Sequence, residues 1–171
     1  MKKLYLIPLF SSIILSGSAS AQTPIQWHGY FKGDCELISP KRGAFNKFLM
    51  SLEIKPLEDD KSTWTITYGE GPNQNTRPYE LLTIDAELGH YAVDENNGLV
   101  IDQYLVGNQF ISMFEIGSSK IQGIYALNSN GTIDVSLNNF SFDPVREAEL
   151  GPYKLGVYGM KVQQKCRLFK W

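Results

Sequence analysis

The chain has 171 residues, with 16 Lys and Arg against 18 Asp and Glu and a net charge of −2. That length suits one ordinary domain, and no basic cluster or basic amphipathic stretch offers a footprint for nucleic acid or a membrane surface. No glycine-rich phosphate loop, Gly-x-Ser-x-Gly elbow, His-Glu-x-x-His motif or Cys-x-x-Cys pair is present, so no particular enzyme chemistry is indicated.

Residues 1–21 have the three parts of a secretion signal: Lys2 and Lys3, an apolar run over 4–15, and Ala19-Ser20-Ala21 as the small-x-small cleavage site. The apolar run is short of the ~20 residues a membrane span needs. Cleavage after Ala21 is expected, leaving residues 22–171 as a single periplasmic or secreted domain with no stable membrane insertion, expected to be monomeric.

A strand is predicted over 27–38, followed by a loose loop or helical turn over 39–47. From Phe48 the pattern alternates: Phe48, Met50, Leu52 and Ile54 share one face, and Ser51, Glu53 and Lys55 the other. After the polar turn Glu58-Asp59-Asp60-Lys61, the segment 62–68 repeats the pattern, with Trp64, Ile66 and Tyr68 on one face and threonines between them. Further strands are expected at 77–84, 90–94, 99–106, 109–116, 120–127 and 132–142. Tight connections at Gly89, Asn97-Gly98, Gly107-Asn108, Gly117-Ser118-Ser119 and Asn130-Gly131 permit only antiparallel neighbours. Residues 143–157, rich in acidic residues, Pro and Gly, read as one long loop. A last strand is expected at 158–169. The fold class is therefore all-β: a single antiparallel up-and-down barrel of about ten strands. An even count lets the first and last strands close the sheet.

Cys35 and Cys166 fall one in each closing strand. In an oxidising compartment an isolated pair is expected to form a disulfide, here enclosing about 130 residues. Both lie past the middle of their strands, so antiparallel pairing requires a stagger of the kind barrel shear supplies.

The segment Trp27-His28-Gly29-Tyr30-Phe31-Lys32-Gly33, together with Arg167 near the end, resembles the calycin superfamily of lipocalins and fatty-acid-binding proteins. The resemblance implies a lipocalin-like barrel in which Trp27 packs under Arg167 at the closed end. Arg77-Pro78-Tyr79-Glu80-Leu81 and Gly151-Pro152-Tyr153 resemble elements of the T-type phycobiliprotein chromophore lyases, which are calycin-like barrels too.

His28 and His90 are far apart in sequence and lack ligand spacing, so no metal site is expected. Haem ligation would fall to His90, but that residue shares a face with Ala92 and Asp94 that is expected to meet solvent. Asp102, at mid-strand, either faces water beside Tyr104 or pairs with Arg77 inside the barrel. Trp64, Tyr68, Arg77, Tyr79, Phe114 and Tyr125 fall on faces that can turn inward, and they form the candidate ligand-binding set. Arg77 is the candidate partner for an anionic head group unless it lies in solvent at the strand's start.

The expected function is a non-enzymatic binder of a small apolar or amphipathic ligand, with no cofactor implied. The alternatives are an envelope interaction or structural protein with a filled core and a chromophore-lyase-like protein. A ten-strand barrel leaves room for a cavity, whereas smaller barrels fill with side chains.

Overall fold

Strand after strand is written as inward apolar residues alternating with outward polar ones, and the chain satisfies all of these faces at once by rolling into a cylinder. The computed structural model describes residues 23–171, so the secretion signal expected over 1–21 lies outside the described residues. The strands are β1 (Gly29–Ser39), β2 (Gly43–Ile54), β3 (Lys61–Tyr68), β4 (Asn75–Asp85), β5 (His90–Asp94), β6 (Val100–Val106), β7 (Gln109–Ile116), β8 (Ser119–Leu127), β9 (Ile133–Ser141), β10 (Arg146–Leu150), β11 (Tyr153–Val157) and β12 (Met160–Lys170). Ten of them form a closed antiparallel barrel in the order β1-β12-β9-β8-β7-β6-β5-β4-β3-β2, and β10 and β11 pair only with each other.

The expected closure of first on last strand is present. β12 pairs with β1 from Phe31↔Lys170 to Ile38↔Gln163, and this register sets Cys35 opposite Cys166. The two are joined as a disulfide, with Cα atoms 4.1 Å apart. The stagger is also there: Asp34, midway along β1, pairs with Arg167, two residues past the middle of β12. Gly33 makes the close approach possible, since a Cβ at that position would lie 1.9 Å from the Arg167 carbonyl oxygen.

Two expected loops are strands instead. The 39–47 segment turns tightly over Pro40-Lys41-Arg42 and is already β2 from Gly43, whose φ of 67° completes the reversal. Residues 43–47 are exposed on both faces, so no buried-face alternation marks them. The 143–157 segment is the β10–β11 hairpin. It is joined through Gly151 (φ 57°) and Pro152, with Leu150 opposite Tyr153 and Ala148 opposite Leu155. Its apolar residues do alternate with Glu147, Glu149 and Lys154, but nearly all of them are exposed. Burial therefore does not drive that alternation, and the flanking Pro and Gly dominate the sequence signal.

One end of the barrel is packed solid. A 3-10 turn at Ile25–Trp27 tucks Trp27 into the core, where it meets Phe110 edge-on at 4.7 Å. Phe110 in turn packs against Trp64 at 5.6 Å and Tyr91 at 5.1 Å. Arg167 does not cover Trp27 as the lipocalin resemblance implies. Position 167 falls on the outer face of β12, opposite in parity to buried Cys166 and Leu168, and its guanidinium forms a two-point pair with Asp134 on β9 at 2.8 and 3.1 Å.

Candidate ligand cavity

Above the aromatic plug the barrel is hollow. A cavity of about 440 Å³ is lined from β1, β3, β4, β5, β6, β7, β8, β9 and β12, a volume in the range of small-molecule sites. All six candidate residues border it: Trp64, Tyr68, Arg77, Tyr79, Phe114 and Tyr125. Period two explains the convergence. Trp64, Ile66 and Tyr68 are the inward residues of β3, and the register Trp64↔Tyr79 and Ile66↔Arg77 brings the inward residues of β4 beside them. Across the barrel, Phe114 pairs with Ile121, and Tyr125 pairs with buried Phe110 and Val135. Val93, Ile101 and Leu137 complete an apolar wall.

The cavity reaches solvent where Arg77, Glu95 and Ile116 stand at the rim. Arg77 combines both placements considered for it. It is exposed near the start of β4, yet its guanidinium lies 5.0 Å from the Tyr68 ring centre, at the mouth. The Tyr79 hydroxyl has both Arg77 and Glu95 as neighbours, so the rim carries one cation and one anion around a phenol.

Burial pushes the phenols of Tyr68, Tyr79, Tyr91 and Tyr125 above the usual range. For Tyr125, packed edge-on against Trp64 at 5.0 Å, the rise is large. A phenol raised in the folded state stabilises the fold fully below the unfolded value of about 10, and that contribution is lost as pH climbs from there toward the folded value. Alkaline titration is thus expected to show a set of tyrosines ionising only together with loss of the β-sheet circular dichroism signal, above about pH 10. Ionisation of every tyrosine in one reversible step, with the sheet intact, would contradict it.

Asp102 is not a partner of Arg77. It lies on the outer face of β6, where its carboxylate meets His90 Nε2 at 2.7 Å, and the His90 ring stacks on Tyr104 at 4.8 Å. His90, the residue considered for haem ligation, is therefore turned away from the cavity. Among the described residues no group of three or more His, Cys, Asp and Glu gathers as a metal site.

Sequence reasoning missed five polar cavity residues: Glu95, Gln103, Ser112, Asn139 and Gln164. Gln103 is 3 % exposed, and its Nε2 has no hydrogen-bond partner among the described residues; the same holds for Asn139 Oδ1. Strand parity could have found Gln103. Buried Tyr91 faces it across the β5–β6 register, so Gln103 shares the interior with Ile101 and Leu105 while Asp102 and Tyr104 go outside. No family model matches this chain, and no curated protein sequence matches it.

Proposed function

We propose that the protein is an exported, non-enzymatic carrier that holds a small amphipathic ligand inside the barrel. The apolar body would lie among Trp64, Ile66, Val93, Phe114 and Leu137, with an anionic head group at Arg77. The observation that carries this reading is the cavity itself, with an aromatic and aliphatic wall, a sealed lower end and one cationic side chain at the open end. Arginine suits the role because its guanidinium can meet a carboxylate or phosphate with two parallel hydrogen bonds. Glu95, on the other side of the Tyr79 hydroxyl, favours a head group that also carries a donor. Export is supported by the leader pattern of residues 1–21 and by the Cys35–Cys166 bridge, which suits an oxidising compartment.

Native mass spectrometry of freshly purified protein should reveal a co-purifying lipid-like molecule. Arg77→Ala is expected to weaken binding of an anionic amphiphile about tenfold, the low end for a charged hydrogen bond because the guanidinium is solvent-exposed. The fold should be unaffected, since the side chain stands at the rim. Repeated isolation without ligand, together with failure to bind any anionic or neutral lipid offered, would overturn the carrier reading.

A further inference from the structure

We propose that the inner wall of the cavity recognises a second ligand group, a neutral hydroxyl or its chemical equivalent, through Gln103 and Ser112. This rests on the carrier reading and adds the chemical class of the ligand: an amphiphile with an anionic head and a hydroxyl on its apolar body. The first observation is the state of Gln103. The residue is only 3 % exposed, in an interior-facing position between Ile101 and Leu105, and its buried Nε2 has no partner among the described residues. A buried donor left unpaired costs about 1–3 kcal/mol, so an aliphatic residue of similar size would suit an empty barrel better.

The second observation is where that amide lies. Extending the β6–β7 register one step beyond Tyr104↔Ile111 sets Gln103 opposite Ser112, and Ser112 pairs with Gly123 on β8. A Cβ on Gly123 would stand 2.6 Å from Ser112 Oγ. The missing side chain at 123 is what leaves room for the hydroxyl against the wall. A third polar group, Asn139 Oδ1, also unpartnered, sits one rung nearer the rim, where Phe114, Ile121 and Asn139 follow each other across β7, β8 and β9. The polar strip thus holds an unpaired donor, an unpaired acceptor and a hydroxyl that can act as either.

The strip carries no charge. The charged residues lining the cavity are Arg77 and Glu95, both at the rim. A charged group at the strip would lie buried without a counter-ion, which is strongly unfavourable, whereas a bare hydrocarbon would leave Gln103 unpaired. A hydroxyl accepts from Gln103 Nε2 and donates to Ser112 Oγ or Asn139 Oδ1, so it meets both demands.

The test compares saturated fatty acids from octanoic to palmitic acid with their ω-hydroxylated counterparts of equal length, by calorimetry on the full mature protein. For at least one length the hydroxylated acid should bind about tenfold tighter, the value of a neutral hydrogen bond that also relieves an unpaired donor. Gln103→Leu should erase that preference while keeping or improving affinity for the plain acid, and it should melt no lower than the natural protein. Ser112→Ala, a smaller change, should reduce the preference severalfold. Equal affinity for both series at every length would overturn this site while leaving the carrier reading intact. So would a preference that survives Gln103→Leu or, if that variant does not fold, one that Ser112→Ala leaves undiminished. Binding of neither series would overturn both.

Discussion

Replacing Cys35 and Cys166 together with alanine is expected to destabilise the barrel by about 4–5 kcal/mol, the chain-entropy value for a loop of this size. The bridged residues are 131 apart in sequence, so the bond ties the two ends of the domain together. In the folded state the bond adds little that the seam lacks. β1 and β12 are already joined by backbone pairing from Phe31 to Ile38, and Trp171 N–H donates to the Tyr30 carbonyl at 2.9 Å. Its effect lies in the unfolded chain, which loses conformational freedom when its ends are held. The alanine pair should therefore still fold and keep its β-sheet spectrum. Its urea midpoint should fall and its m-value rise, because a chain free at both ends exposes more surface on unfolding. A smaller term comes from packing, since Cys166 Sγ lies 3.7 Å from Met50 Sδ and truncation leaves a gap in the core there. A loss below about 2 kcal/mol, or an unchanged m-value, would show that the seam is held by its backbone pairing alone.

The disulfide was legible in the sequence because its cause is topological. Even strand number, antiparallel neighbours and one cysteine in each terminal strand put the two thiols on adjacent strands, and the β1–β12 stagger then sets them opposite each other. The same alternation that identifies β3 and β7 as strands also turns Trp64, Tyr68 and Phe114 inward, so the six candidate residues fell on one cavity. What stayed hidden was structure with no buried face behind it. Residues 43–47 extend β2 into solvent, and the β10–β11 hairpin holds itself together by backbone pairing with its apolar residues exposed. Gln103, Ser112 and Asn139 went unnoticed, because the residue type of a neutral polar side chain on a strand does not mark it as inward. Parity against a known buried neighbour, Tyr91 for Gln103, carries more information than side-chain type. Arg167 shows the opposite error: a resemblance assigned it to the closed end, while its own parity beside buried Cys166 and Leu168 already sends it outward to Asp134.

Phe110→Ala is expected to cost about 3–5 kcal/mol, as for a large aromatic removed from a packed core. Its ring is fully buried and touches three others: Trp27 at 4.7 Å, Tyr91 at 5.1 Å and Trp64 at 5.6 Å, each near edge-to-face. Each such contact contributes beyond area alone. The rings that surround it come from the Ile25–Trp27 turn, β3 and β5, so no single neighbour can move in to fill the space. Trp64 is both roof of this plug and wall of the cavity above it. Removing Phe110 therefore opens space directly beneath the cavity, and Trp64 emission should shift toward the red as its packing loosens. Phe114→Ala provides the contrast. That ring borders the existing void, so its loss enlarges a space that is already open and should cost well under the Phe110 value. Equilibrium urea unfolding of the two variants measures the difference. Comparable losses would mean that the space above Trp64 is packed as tightly as the plug below it, and a barrel so filled has no room for a ligand.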